Sequence, residues 1–201
     1  MIIEMSNLEA AKIHEFFISA MSPLPVTLIS TLGATGVFNA APFSAVAPIS
    51  WKPPLICVSV GSKNGRKKHT TDNIEYSGDF VINIMSADFL KPLVQAAGNY
   101  PGDVSEIERV GLTALPAQKV KSPLIGEAQV SFECRLAQRI ELGEGENIRW
   151  VYFGEVLIMH LKDDILTSGD IDPLKLGGMG YLGKGPFGKR LFCRTRDVLQ
   201  S

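Results

Sequence analysis

The 201-residue sequence has no uninterrupted apolar run of about 18 residues, the length at which a transmembrane helix is predicted. It also has no surplus of positive charge, because 20 Lys and Arg face 21 Asp and Glu for a formal net charge of −1. This balance argues against a protein that binds nucleic acid through bulk charge. The N-terminus lacks a basic segment followed by an apolar core, so no signal peptide is predicted.

Metal-ligating and nucleophilic patterns are equally scarce. The three histidines have no HxH or HxxxH spacing, and the three cysteines form no CxxC pair. No metal site is therefore predicted, and the cysteines are expected to be free thiols in a cytoplasmic protein. The sequence also lacks the GxSxG nucleophile motif, and no catalytic side chain is assigned.

The C-terminal region contains a motif that imitates a phosphate loop. Residues 178–183 match GxGxxG, but no buried strand precedes them and the chain that follows is too short for a βαβ unit. A P-loop is excluded as well, because Gly185 occupies the place of the magnesium-binding Ser or Thr. This region is predicted to be a flexible glycine-rich tail that folds over another part of the protein.

Strand patterns outnumber helix patterns along the chain. The clearest one covers residues 128–136, where apolar and polar side chains alternate, and it predicts a half-buried antiparallel strand. Gly154, inside the strand predicted at 150–161, is expected to mark a bulge or a close approach. Strict βαβ alternation is absent, so we predict an antiparallel β-barrel with a few packed helices. The remaining predicted elements are a hairpin at 26–40, strands at 43–49, 55–60 and 80–84, helices near 13–20, 70–76 and 87–97, and a long irregular segment at 98–123.

A basic run interrupts the neutral average at residues 63–68, where four of the six residues are Lys or Arg. Thr70 follows at a predicted helix start, where free backbone N–H groups favour a phosphate, and Asn73 adds a side-chain amide. The run is either a solvated turn or an anion site, and the local sequence leaves both interpretations open.

Residues 39–44 form a second candidate segment. Its small side chains would let the backbone approach a flat ligand closely, and Asn39 and Ser44 offer hydrogen bonds. A strand–turn–strand corner without a ligand explains the same residue types.

Taken together, these segments resemble the flavin reductase-like family, whose fold is an FMN-binding split barrel. Residues 39–44 resemble the family's Asn-x-Ala-Pro-aromatic-Ser segment, and residues 68–74 resemble its Lys-Asp-Thr-x-x-Asn-Ile segment. Further similarity lies at 50–55, at 78–83, in the long strands and in the glycine-rich end, so that it spans about residues 20–197. The chain departs from the family at His69, which replaces Asp, and at residues 51 and 52, which precede Pro-Pro.

The resemblance implies a mainly β single domain over residues 1–201, with a split-barrel core at about 20–165 and a tail at 166–201. It implies that Lys68, Thr70 and Asn73 hold the FMN phosphate and ribityl chain. Ser59 and Gly61 would line the same end, and the ring system would meet the segment that begins at Asn39. The tail would supply Tyr181 or Phe187 to cover the flavin. The cofactor-binding residues expected on this basis are Asn39, Ala41, Pro42, Phe43, Ser44, Ser59, Gly61, Lys68, Thr70 and Asn73.

The activity implied by the resemblance is hydride transfer from NADH or NADPH to flavin, in a cytoplasmic homodimer with its site near the subunit boundary. A flavin supplies this chemistry itself, so the protein need not provide a nucleophile or a metal. Two alternatives stay open: an FMN-binding or electron-transfer protein of flavoredoxin type, and an interaction protein that uses the 98–123 segment. The basic cluster argues against the last of these.

Overall fold

The computed structural model describes residues 2–185 and 188–194. Phe187, one of the two tail aromatics expected to cover a flavin, lies outside the described residues. Within them, no helix is both long and apolar enough to cross a membrane. The helices are α1 (Ala10–Ala20), α2 (His69–Ser77), α3 (Leu90–Ala96), α4 (Glu106–Arg109) and α5 (Pro173–Leu176). The strands are β1 (Leu24–Pro25), β2 (Thr27–Leu32), β3 (Phe38–Phe43), β4 (Val46–Trp51), β5 (Pro54–Gly61), β6 (Asp79–Ile84), β7 (Ala114–Leu115), β8 (Leu124–Ile125), β9 (Val130–Leu142), β10 (Arg149–Leu161), β11 (Leu166–Thr167), β12 (Asp170–Ile171), β13 (Met179–Lys184) and β14 (Arg190–Arg194).

The main sheet is antiparallel and has seven strands in the order β3-β2-β6-β9-β10-β5-β4. Its two edge strands, β3 and β4, follow each other in the chain with two residues between them. In a flat sheet six strand spacings would separate these edges by about 29 Å, whereas the short connection spans at most about 11 Å. The sheet must therefore curl until its edges approach, which gives the predicted split barrel.

Both faces of this sheet are covered. Leu28 and Ile29 are neighbours on β2 and both are 0% exposed, although successive strand side chains point to opposite faces. Ile29 belongs to an apolar cluster with Val58 of β5 and Phe80 of β6, on the enclosed face. Leu28 belongs to a second cluster, which also contains residues of α3 and α4. The barrel thus has an inner core and an outer core beneath the helices.

The long strands β9 and β10 confirm one expectation and correct another. The register shifts beside Gly154, and a Cβ built there would lie 2.5 Å from the Phe80 ring, which confirms the predicted bulge and close approach. The antiparallel strand predicted at 128–136 is confirmed from Val130 onward, but its expected half-burial is wrong at Ser131 and Glu133, which are buried as well. Glu133 is covered because its carboxylate accepts the backbone N–H groups of residues 118 and 119.

The glycine-rich C-terminal region is ordered as strands in its described part, in contrast to the predicted flexible tail. Strand β13 pairs with β14 and with β1 in a three-stranded sheet. Glycine allows this close packing, since a Cβ at Gly180 would lie 2.5 Å from Pro23. The tail does lie over another part of the protein, as expected, but as a hairpin packed against α1.

Candidate functional site

A cavity of about 560 Å³ opens between strand β3, the start of α2, helix α3 and the C-terminal hairpin. Its size falls within the range of small-molecule and cofactor sites. Seven of the ten predicted binding residues line it: Asn39, Ala41, Pro42, Phe43, Ser44, Lys68 and Thr70. They meet because β3 runs along the split edge of the barrel and α2 packs against the same strand.

Three predicted residues lie outside this wall. Ser59 and Gly61 lie on β5, where the Ser59 N–H donates to the Ala45 carbonyl and the Arg149 guanidinium packs beside Gly61. Asn73 lines a separate cavity of about 170 Å³. Its side chain is turned toward β2, where Nδ2 donates to Thr31 Oγ1 over 3.0 Å. The helical pattern predicted that Asn73 lies one turn after Thr70. It did not indicate that the side chain of Asn73 would donate a hydrogen bond to Thr31 on β2.

The anion-binding character of the cavity centres on Lys68. Burial lowers the pKa of Lys68, and the positive charges of Arg149 and Lys63 lower it further. Among the residues that the structure describes, no carboxylate lies within 4 Å of the Lys68 ammonium to balance these charges. Its neighbour Lys67 differs, since it is paired with Glu75. An uncompensated, partly buried cation surrounded by like charges favours the binding of an anion.

The start of helix α2 adds to this preference. Lys68 is the N-cap residue, and no side chain caps the helix. Thr70, in the first turn, is 2% exposed and places its hydroxyl 3.3 Å from Asn39 Oδ1. The backbone N–H groups of a helix start, together with its dipole, attract a phosphate or carboxylate.

The sequence did not reveal Glu106, the one acidic side chain among the described residues that line the cavity. It begins helix α4, inside the segment at 98–123 that we predicted to be irregular, and it is 5% exposed. Burial raises the pKa of Glu106, although hydrogen bonds from its own backbone, Ala40 and Asn39 and the nearby His69 oppose that rise. No motif marked this residue, and only the placement of α4 against β3 brings it into the site.

The opposite wall is apolar and aromatic. Helix α3 contributes Leu93 and Ala96, and the C-terminal hairpin contributes Tyr181 and Phe192, whose ring centroids are 5.4 Å apart. Tyr100 also lines the wall, and the sequence analysis did not single it out. A cavity with one cationic end and one aromatic side suits a ligand that combines a flat ring with an anionic group.

Histidine and cysteine side chains outside the cavity take structural positions. His160 Nε2 lies 2.6 Å from Glu133 Oε1, within hydrogen-bond distance. Cys134 is buried in the inner core, whereas Cys57 is partly exposed. Within residues 2–185 and 188–194, no cluster of His, Cys, Asp and Glu is arranged to hold a metal ion.

Comparison with known proteins places these features in context. The family model described as "Flavin reductase like domain" matches residues 19–176. An uncharacterized protein of Halalkalibacterium halodurans, BH2278, is 31% identical over 179 residues, which cover 88% of this chain and 86% of that protein. Among solved structures, nitrilotriacetate monooxygenase component B from Bacillus cereus superposes with a TM-score of 0.93 at 26% identity, covering 100% of this chain and 98% of that one. The Pseudomonas fluorescens 2-nitrobenzoate 2-nitroreductase NbaA gives 0.86 at 27% identity, covering 100% and 95%.

Proposed function

Because this chain belongs to the flavin reductase-like family, we propose that it binds FMN and transfers hydride to it from NADH or NADPH. Membership supports a flavin-related oxidoreductase, and the choice of FMN and of a nicotinamide donor is our proposal. The observation that carries it is the uncompensated ammonium of Lys68 in a cavity also lined by aromatic and small side chains.

The residues present fit a phosphorylated flavin. We assign the phosphate to Lys68, Thr70 and the first turn of α2, which together offer a charge, a hydroxyl and backbone N–H groups. We assign the ring to the backbone of residues 41–44, opposite the aromatic wall. When bound, a flavin supplies a ring that accepts hydride, so that the nicotinamide is oxidised as the flavin is reduced.

The protein's own contributions are binding, orientation and exclusion of water. The apolar wall of α3 and the C-terminal hairpin shields one side of the cavity. Lys63 and Arg190 leave further positive charge at the same cavity. We infer that this charge attracts the phosphates of the nicotinamide donor as well as that of the flavin.

We further propose that the protein is a homodimer. Trp51, near the tip of the β4–β5 hairpin, is 76% exposed, and Ile49 on the same edge strand is 43% exposed. Exposed apolar side chains on an edge strand favour coverage by a second chain. Light scattering coupled to size-exclusion chromatography tests this, and a monomer at micromolar concentration would refute it.

We also propose that the protein is located in the cytoplasm. The reason is that its three cysteines are free thiols, which a reducing compartment maintains.

The direct test of the main proposal is an absorbance experiment. The purified protein, loaded with FMN, is expected to show a flavin spectrum that bleaches anaerobically when NADH or NADPH is added. Heat-denatured protein with the same FMN concentration is the control for direct reduction. A protein that binds neither FMN nor riboflavin in a fluorescence titration would refute the proposal.

A second candidate is a flavin-binding or electron-transfer protein of flavoredoxin type that does not turn over nicotinamide. The observation that favours it is that the Lys68 ammonium, the Thr70 hydroxyl and the start of α2, which line the described cavity, suit the binding of a ligand. This candidate predicts bound flavin without NAD(P)H oxidation above the background rate, so the same absorbance experiment separates the two.

A further inference from the structure

The buried carboxylate of Glu106 has no role in the function proposed above. Both of its oxygens lie 2.8 Å from Asn39 Nδ2, and one lies 3.3 Å from the Ala40 backbone nitrogen. Among the described residues, no Lys, Arg or His nitrogen lies within 4 Å of it. A buried carboxylate satisfied by an amide rather than by a cation is costly to maintain, which calls for an explanation beyond packing.

The hydrogen-bonding chemistry of Glu106 and Asn39 supplies an explanation. An ionised carboxylate can only accept hydrogen bonds, so the Asn39 side chain must turn its NH₂ group toward Glu106. Its carbonyl oxygen then faces the other way, 3.3 Å from Thr70 Oγ1 and 3.5 Å from Thr31 Oγ1. Asn39 therefore offers an acceptor and no N–H donor. In this structure the hydroxyls of Thr70 and Thr31 donate to that oxygen, and it is released to accept from a ligand when the Thr70 hydroxyl turns to a bound phosphate.

We propose that Glu106 is a positioning residue that locks the Asn39 amide, so that this part of the cavity takes a ligand group that donates a hydrogen bond. The inference rests on the proposed function for the identity of the ligand. In a flavin, the donors available are the ribityl hydroxyls and the ring N–H, and riboflavin carries them as FMN does. Lys68 and Glu106 thereby have complementary roles. Lys68 selects the anionic group of the ligand, and Glu106 selects the orientation of its uncharged part.

The lock depends on ionisation. A protonated Glu106 could donate as well as accept, and the Asn39 amide would lose its single favoured orientation. The elements around it offer little competing charge: β3 provides the Asn39 amide and the Ala40 N–H, and α3 provides Leu93 of the same apolar cluster as α4. His69 of α2 is the described titratable group whose charge acts on Glu106.

The test is the substitution Glu106→Gln, with Glu108→Gln as its matched control. Gln can pair with either end of the Asn39 amide, so the fold is kept while the orientation is released. Glu108 lies on the same helix but is exposed and does not line the cavity. We expect E106Q to weaken both riboflavin and FMN binding by up to about tenfold, the upper end of the effect of one neutral hydrogen bond. E108Q should leave both dissociation constants unchanged.

Two further measurements distinguish positioning from a structural role. The thermal midpoint of E106Q at neutral pH should equal or exceed that of the wild type, because a buried ionised group has been removed. Wild-type affinity for riboflavin, which has no titrating phosphate, should fall as the pH is lowered through the raised pKa of Glu106, and that of E106Q should not. If E106Q does not fold, the wild-type pH profile alone decides the matter.

The outcomes separate this inference from the proposed function. Riboflavin affinity that is unchanged in E106Q, or independent of pH in the wild type, would overturn the role of Glu106 and leave flavin binding intact. An affinity loss that matches a drop in thermal midpoint would also overturn it. Wild-type protein that binds no flavin would overturn both proposals.

Discussion

Replacement of Lys68 by Met and of Thr70 by Val is the sharpest test of the anion site. Met keeps most of the aliphatic stem of Lys68, whose ammonium lies 6.0 Å from the centre of the Phe43 ring, and removes only the charge. Val keeps the shape of the buried Thr70 side chain and removes its hydroxyl. The double variant should therefore retain its fold while losing two groups assigned to the phosphate.

The magnitude follows from the bonds removed. A charge-assisted hydrogen bond contributes about 1.5–3 kcal/mol and a neutral one about 0.5–1.5 kcal/mol. Part of the loss is offset, because removal of the Lys68 charge relieves its repulsion with Arg149 and Lys63. We expect FMN binding to weaken by about 2–4 kcal/mol, or about 30- to 700-fold in Kd.

Titration of flavin fluorescence with FMN and with riboflavin measures this effect. Riboflavin lacks the phosphate, so its affinity should change far less than that of FMN. Arg66→Met is the matched control, because Arg66 belongs to the same basic run but is exposed and does not line the cavity. An equal loss for both flavins, or an equal loss in the Arg66 variant, would show that the phosphate is not held at Lys68.

Three further predictions concern the scaffold. Gly154→Ala should destabilise the protein by about 1–3 kcal/mol in urea unfolding, because the new Cβ would lie 2.5 Å from Phe80 and 2.9 Å from Cys134; unchanged stability would mean that the bulge adapts freely. Burial raises the pKa of Glu133, but hydrogen bonds from two backbone N–H groups and His160 outweigh burial and leave the pKa below its ordinary value. A lowered pKa stabilises the fold above the unfolded-state pKa and loses that contribution as the pH falls through the folded one, so Glu133→Gln should flatten the acid limb of a stability–pH curve. Burial raises the pKa of Cys134 to about 12, so iodoacetamide at about pH 8 should spare it in the folded protein, and rapid labelling detected by mass spectrometry would contradict its placement.

The sequence predicted the barrel well because its strands carry strong local signals. The turn at residues 33–36 and the β-branched run before it predicted the β2–β3 hairpin, and alternation predicted β9. The prediction failed where the burial of a residue depends on a segment far from it in the sequence. Glu133 reads as an exposed position in an alternating strand, and only the loop containing residues 118 and 119 encloses it.

The candidate site divides in the same way. Lys68 and Thr70 are two positions apart in the sequence at a helix start, so local chemistry was enough to predict that they lie together. Glu106 and Asn39 are separated by 67 positions, and their contact depends on how a short helix packs on the barrel edge. Asn73 is the opposite case. Its spacing from Thr70 is that of one helical turn, but its hydrogen bond to Thr31 directs the side chain away from the main cavity.

The C-terminal hairpin has a consequence for how the protein matures. Its residues Tyr181, Arg190 and Phe192 close the same cavity that His14 of α1 enters from the other end of the chain. During synthesis the seven-stranded sheet is complete in sequence once β10 has been made, yet the cavity wall is not. The cavity wall described above is therefore complete only after translation has passed Phe192, so that a ribosome-bound chain can hold a finished seven-stranded sheet beside an unfinished cavity.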